Sequence, residues 1–373
     1  VLTFCNSMKT ENGYEPIDAT LIQSQNDALA KEGYRIIAIA ENEVSSDKEE
    51  IKDLHFLGLV AFIDPIREEV KSSIAECKTA GIKVVMITGD HPLTAYSIAK
   101  ELGIAESMDE VAEATSVDAY RQKGEKAFDE YVKSKKVFTR VTPLNKLEIV
   151  ESYKRQGEFV AVTGDGVNDA PAIKSANIGI AMGSGTDVAK ETASMIVLDD
   201  NFKSIVLGIK EGRNAYSNIR KISYMLLSCG IAEVLFFILS IIFDLPMPLV
   251  AIQLLWLNIV TDGLQDLALS FEKCEKGIMR EKPRNPKENI FNKELFGELL
   301  ISGLSIGIII FIVWVYLLNK GVSATTARGY ILMLMVFMQN MHVLNCRSEK
   351  KSAFTISLKT NPFVAFSIFS AIM

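Results

Sequence analysis

No lysine or arginine occurs between Lys221 and Lys273, and apolar runs follow one another from that point on. They cover Ile222 to Phe243, Pro248 to Leu269, Leu295 to Leu318 and Gly329 to Asn345, with a fifth starting near Phe363. About 20 apolar residues in a helix cross a hydrocarbon core, and such runs seldom repeat inside a water-soluble protein. The spacing predicts an all-α, multi-pass membrane part with the lipid bilayer as its partner. Loop charge orients it. Lys273, Lys276, Arg280, Lys282, Arg284, Lys287 and Lys293 follow the second run, and Arg347, Lys350, Lys351 and Lys359 follow the fourth. Both loops are therefore expected on the cytosolic side, together with residues 1–221.

Charge divides the chain at the same place. It has 373 residues with 40 Lys plus Arg and 46 Asp plus Glu, and residues 1–221 hold 27 of the bases and 35 of the acids. An acidic first part without a basic stripe or an aromatic platform excludes a nucleic-acid partner. Five cysteines, odd in number and without CxxC spacing, indicate neither a disulfide framework nor a zinc site and fit a reducing compartment. Val1 and Met373 both read as cuts within continuing structure, and no signal peptide is evident.

The first part alternates short apolar strands with helical stretches. Lys83–Thr88, Val137–Thr139, Phe159–Thr163, Ile178–Ala181 and Met195–Val197 read as strands, and Pro92–Leu102 and Pro143–Gln156 as helices with Pro near their starts. This order predicts an α/β doubly wound parallel sheet with ligands at the carboxyl ends of its strands. A helix near Asn26–Glu32 and a strand at Arg35–Ala40 read as the tail of a separate domain.

Two strands end in nearly the same letters, Thr88-Gly89-Asp90 and Thr163-Gly164-Asp165-Gly166-Val167-Asn168-Asp169. A hydroxyl or carboxylate just past a strand, followed by glycine, gathers polar groups and bare amides around a small anion. Asp165 and Asp169, four apart on a turn, suit a hard cation such as Mg²⁺, and Lys146 suits the neutralisation of a transferring phosphoryl group. In the membrane part, Glu233, Asn258, Thr261, Asp262 and Asp266 are costly to bury, which points to function. Positions 258, 261, 262, 265 and 266 share one face at helical spacing. Oxygen donors from two helices suit a hard cation. His342 reads as a helix-packing residue.

TGDGVNDAPA (Thr163–Ala172), MITGDHPLTA (Met86–Ala95), DPIR (Asp64–Arg67), IGIAMGSGTDVAKETASMIVLDDNF (Ile178–Phe202) and QLLWLNIVTDGL (Gln253–Leu264) together resemble the P-type cation-transporting ATPases, on the calcium-pump side. The resemblance covers essentially the whole chain. It implies a haloacid dehalogenase-like cytosolic domain followed by a polytopic membrane domain. Residues 1–53 would end a nucleotide-binding domain, 54–201 form the phosphorylation domain, 202–222 a stalk helix and 223–373 four spans plus a truncated fifth. It implies ATP as substrate, Mg²⁺ at Asp165 and Asp169 with Asn168 ordering the site, Thr88, Gly89 and Asp90 around the phosphoryl group, and Arg35 and Arg140 on the nucleotide.

The family's phosphorylated aspartate lies in an Asp-Lys-Thr-Gly-Thr string that does not occur here, so the resemblance implies an upstream half of the same polypeptide and no activity for this chain alone. For the transported ion it implies Glu233, Asn258, Thr261 and Asp262, with Gln339 and Asp266 as further candidates. Gly230 and Gln339 stand where the reticulum-type pumps have Asn and Glu, so one calcium ion per cycle is expected, with sodium or another cation as the alternative. A membrane-tethered phosphatase of the dehalogenase type is the other reading of the TGD strings. Phe202–Phe243 lacks proline and predicts one helix of about 60 Å at 1.5 Å per residue, able to couple the two parts.

Overall fold

The computed structural model describes residues 1–10, 13–42, 53–63, 65–285 and 288–372; Asp64 of the DPIR string and Lys287 of the charged loop lie outside these. The chain divides into two compact units, Val1–Leu207 with Met279–Pro283 and Gly208–Ile278 with Arg284–Met373.

The first unit opens with β1 (Cys5–Thr10), β2 (Gly13–Pro16), α1 (Ala19–Lys31), β3 (Arg35–Glu41) and β4 (Leu54–Phe62). The strands pair in the order β2-β1-β4-β3, with β4 parallel to β1 and antiparallel to β3. The Asp18 carboxylate caps α1 by accepting from the Leu21 amide at 2.9 Å. Ile22 of α1 then packs with Cys5 and Phe56 of the sheet. This sheet reaches past residue 53, to Phe62.

The chain then alternates through α2 (Glu68–Thr79), β5 (Met86–Ile87), α3 (Pro92–Glu101), β6 (Val111–Glu113), α4 (Ala114–Gln122), α5 (Glu125–Ser134), β7 (Val137–Thr139) and α6 (Pro143–Arg155). It continues with β8 (Ala161–Gly164), α7 (Ala170–Ser175), β9 (Ile178–Met182), α8 (Asp187–Thr192) and β10 (Met195–Val197). These strands form two three-stranded sheets, β5-β7-β6 and β10-β9-β8, with every pair parallel. Successive residues of a strand face opposite ways. Val137 accordingly packs with Ile74, Ala95 and Ala99, and Phe138 with Val117, Phe128 and Ile149, so the β7 sheet is covered on both faces. The doubly wound α/β class expected from the sequence is thus present, as a dehalogenase-like arrangement whose described strands lie in two sheets. Both motif-bearing strands, β5 and β8, lie at sheet edges.

The second unit is helical. α9 (Phe202–Ile242) runs 41 residues without a break, as its proline-free sequence allows. A short α10 (Ala251–Trp256), a π-helical stretch over Leu257–Asp262 and α11 (Gly263–Ser270) follow. α12 (Lys293–Asn319), α13 (Ala324–Cys346) and α14 (Pro362–Ile372) complete it. Among the described residues three helices, α9, α12 and α13, are long and apolar enough to cross a membrane. The second expected span is the run that the π turn divides, and the fifth is the short α14.

α12 meets α9 through glycine. A Cβ on Gly303 would stand 2.9 Å from the Ser228 carbonyl oxygen, and one on Gly307 3.0 Å from that of Ala232. In lipid, where water no longer drives helices together, such bare backbone lets them approach closely. Phe236 and Trp314 fill the next layer, edge to face with ring centroids 6.2 Å apart.

Arg347, read from sequence as a loop charge, is buried. Its guanidinium donates to both oxygens of Glu272, at 2.8 and 3.2 Å, and to the Thr360 hydroxyl. Asn361 Nδ2 donates to the same carboxylate at 2.9 Å. The pair therefore ties the end of α11 to the end of α13 and the start of α14. Removing one partner of a buried pair strands the other charge, at a cost of about 3 to 5 kcal/mol. Glu272→Ala is expected to lower the thermal midpoint of the purified chain strongly, while Glu272→Gln, which keeps an acceptor, costs less.

Candidate phosphate and cation sites

In the first unit Thr88 follows β5, and its amide donates to the Phe138 carbonyl at 2.9 Å, extending the sheet by one rung. The Thr88 hydroxyl donates to Asp90 Oδ2 at 2.9 Å and accepts from the Asp90 amide at 3.1 Å, which closes the TGD turn on itself. His91 Nδ1 accepts from the Leu93 amide and so caps α3. Burial, with Arg140 adding to it, holds that imidazole below its usual pKa, in the direction of the neutral form that can accept here. The Arg35 guanidinium stands 4.0 Å from Asp90 and is largely exposed.

The second TGD string is built more tightly. Lys146, one turn into α6, donates to Asp169 Oδ1 at 2.6 Å, and Asp169 Oδ2 accepts from the Gly166 amide at 3.3 Å. α6 starts where it does because Thr142 and Asn145 form a reciprocal capping box with Pro143 at the first helical position. Gly164 is required here, since a Cβ would stand 2.5 Å from Asp169 Cβ. Gly185 of the MGSGTD string is required as well, since a Cβ there would approach the Asp165 carbonyl oxygen to 2.9 Å. Thr186 donates its amide to that same oxygen at 2.8 Å.

The structure thus joins Lys146 to Asp169 and holds Asp165 by its backbone, leaving the Asp165 and Asn168 side chains exposed. Arg140 has a left-handed backbone, φ 53°, and its guanidinium pairs with Glu113 at 3.0 Å. Arg67 of the DPIR string donates to the Asp200 carbonyl at 2.6 Å. The free Asp165 carboxylate beside the Lys146–Asp169 pair is the oxygen chemistry that Mg²⁺ prefers.

Among the described residues of the second unit, six buried side-chain oxygens lack a hydrogen-bond partner: Glu233 Oε1 on α9, Thr261 Oγ1 and Asp262 Oδ1 in the π turn, Gln265 Oε1 and Asp266 Oδ1 on α11, and Gln339 Oε1 on α13. Buried oxygens are normally satisfied, and leaving one bare costs about 1 to 3 kcal/mol. Five of them can only accept and the Thr261 hydroxyl can also donate; Asn340 Nδ2, on the residue bonded to Gln265, is a buried donor without a partner. Among the described residues, Glu233, Asp262 and Asp266 do not close into a group of three at metal-holding spacing. Asn258 is placed apart: it is exposed, and its Nδ2 donates back to the Leu254 carbonyl at 3.0 Å.

The π turn accounts for this difference. Its wider turn, in which the Gly263 amide reaches the carbonyl of Asn258, shifts the register, so Thr261, Asp262 and Gln265 go inward while Asn258 does not. Sequence reasoning missed Asn340, whose Oδ1 accepts from Gln265 Nε2 at 2.6 Å and holds that amide with its own oxygen free. The spacing of Gln265, four residues after Thr261, was the available signal.

Residues 12–177 match the family model for haloacid dehalogenase-like hydrolases, and residues 246–373 that for the carboxyl terminus of cation transporting ATPases. A calcium-transporting ATPase of Bacillus subtilis is 41% identical over 92% of this chain and 39% of its own length. Calcium-transporting ATPase 1 of Bacillus cereus is 38% identical over 93% and 41%. Calcium-transporting ATPase type 2C member 1 of Homo sapiens is 34% identical over 100% and 40%. The chain thus spans about two fifths of the length of the curated relatives it matches. A dehalogenase-like α/β unit carrying both TGD strings, followed by membrane-crossing helices with bare carboxylates between them, belongs to a multi-pass membrane protein of the calcium-pump-like P-type ATPase family.

Proposed function

We propose that this chain supplies the phosphoryl-handling and cation-binding parts of an ATP-driven pump that moves calcium, one ion per cycle. The observation that carries this reading is the set of six bare acceptor oxygens on three helices and one π turn. A hard cation is the ligand that satisfies acceptors alone, because each oxygen donates a lone pair and none needs a proton. A membrane-tethered phosphatase has no use for them.

In the cytosolic part, a bound Mg²⁺ would supply positive charge against the phosphoryl oxygens. Asp165 is the carboxylate to hold it, and Asp169 keeps Lys146 aimed at the same place. The Gly89 amide and the Thr88 hydroxyl, once its proton is released from Asp90, would hold the anion, with Asn168 ordering the second string and Arg35 and Arg140 reaching the nucleotide phosphates. The nucleophile comes from an upstream segment of the same polypeptide. β5 and β8, both sheet edges, offer unpaired flanks for a strand delivering an aspartate between the two TGD strings.

Gln339 contributes no charge to the membrane set, which leaves sodium as the second reading. ATP hydrolysis by the complete polypeptide in vesicles, titrated separately with Ca²⁺, Na⁺, K⁺ and Mn²⁺, separates the two. Stimulation by micromolar Ca²⁺ supports the calcium reading, and stimulation by Na⁺ alone overturns it.

A further inference from the structure

Toward the cytosolic end of the membrane unit lies a cluster of soft donors that the oxygen site does not use. Met225 and Ser228 are on α9, and His342 and Cys346 on α13. Cys346 Sγ is 3.5 Å from His342 Nε2 and 3.8 Å from Met225 Sδ, and all three side chains are buried. His342 Nε2 is also 2.6 Å from Ser228 Oγ, whose own proton goes to the Tyr224 carbonyl at 2.6 Å. Nε2–H is therefore the donor in that bond.

We propose that Met225, His342 and Cys346 form a three-coordinate site for a soft monovalent cation, Cu(I) in the first instance. With metal–sulfur bonds of about 2.3 Å and metal–nitrogen bonds of about 2.0 Å, trigonal geometry sets sulfur and nitrogen about 3.7 Å apart and two sulfurs about 4.0 Å apart. The two separations from Cys346, 3.5 Å to His342 Nε2 and 3.8 Å to Met225 Sδ, each fall about 0.2 Å short of these. Thioether and thiolate ligands select Cu(I) and exclude calcium and magnesium. Among the described residues no three His, Cys, Asp or Glu side chains form a metal group. The third donor here is a thioether, which is also why acid and imidazole patterns in the sequence do not reveal the site.

Binding balances simply. The cation enters, the Cys346 thiol releases one proton to solvent, and the His342 ring moves its proton from Nε2 to Nδ1, giving up the bond to Ser228. Of the three donors, Cys346 forms part of the wall of a cavity of about 230 Å³, lined also by Lys221, Tyr224, Glu298, Asn345 and Glu349. The donors lie on the same helical stripes as the oxygen site, since Met225, Cys229 and Glu233 follow one another at four-residue steps on α9. A metal held there clamps α9 to α13.

The test uses the full chain in lipid nanodiscs under reducing conditions, with Cys5, Cys77 and Cys274 changed to alanine, titrated with Cu(I) against a chromophoric chelator. One Cu(I) per chain is expected, with an X-ray absorption spectrum containing one imidazole nitrogen and two sulfurs. Losing an outer-shell partner already weakens metal sites about 10- to 100-fold, so Met225→Leu, which conserves volume, is expected to weaken binding by more than about tenfold. His342→Gln should do the same and remove the imidazole signature. Affinities unchanged in both variants, or a spectrum of sulfur ligands without imidazole in the parent chain, overturn the proposal. The parent spectrum reads the ligand set whether or not a variant folds.

Discussion

Asp262→Asn is expected to raise the calcium concentration needed to stimulate ATP hydrolysis by the complete polypeptide at least about a hundredfold. Asp262 is 3% exposed and offers an oxygen that no protein donor satisfies. It stands where the π turn directs side chains inward. Asparagine keeps the size and one oxygen but removes the charge, so the change isolates electrostatics from packing. Asn258→Ala provides the contrast. The Asn258 amide is spent on the Leu254 carbonyl and its side chain faces outward, so that substitution should move the calcium dependence by much less. Equal effects of the two would mean that the straight-helix register, and not the π turn, describes the working site.

The second large effect is expected at the phosphate site. Asp165→Asn should slow phosphoenzyme formation by the complete polypeptide about 10³-fold, and Lys146→Ala about 10²- to 10³-fold, in the range lost when one preorganised charge is removed. The two variants should also differ in kind. Lys146→Ala leaves Asp169 without its cation at 2.6 Å, so the second TGD turn loses its anchor as well as its charge. Asp165 is held by its backbone through Thr186 and the close approach of Gly185, so Asp165→Asn leaves the turn intact. Thermal unfolding of the first unit should therefore shift for Lys146→Ala and stay put for Asp165→Asn, while both lose label incorporation from ATP.

Much of the phosphate site is legible in the letters because each residue works locally. Gly164 is fixed by the neighbour it must admit five positions later, and Lys146 by a helix start that Thr142, Pro143 and Asn145 spell out. Val137–Thr139 and Met195–Val197 form strands over the expected residues. Where structure depends on distant partners, the letters say less. Lys83–Thr88 reads as one strand, yet only Met86–Ile87 is assigned, because its partner β7 is three residues long. β4 was not anticipated at all, since it joins β1 and β3 across tens of residues.

The membrane part shows the same division. Carboxylates in an apolar run announce themselves by their cost, so Glu233, Asp262 and Asp266 are visible at once. The π turn is not, because whether a helix widens depends on what packs against it. Nor is the burial of Arg347 and Arg220: positive charges at span ends mark the cytosolic side, but pairing with Glu272 and Glu349 is a matter of tertiary structure. Gln265 and Asn340 illustrate the limit, since neither alone suggests a site and only their 2.6 Å bond leaves the Gln265 oxygen free.

Equilibrium binding of Ca²⁺ to the complete polypeptide in lipid nanodiscs, without ATP, tests the cation site most directly. One Ca²⁺ per polypeptide is expected, lost in both Asp262→Asn and Glu233→Gln and retained in Asp165→Asn, whose carboxylate serves the phosphate. Undiminished Ca²⁺ binding in the two membrane variants would contradict the assignment of these bare oxygens to the transported ion.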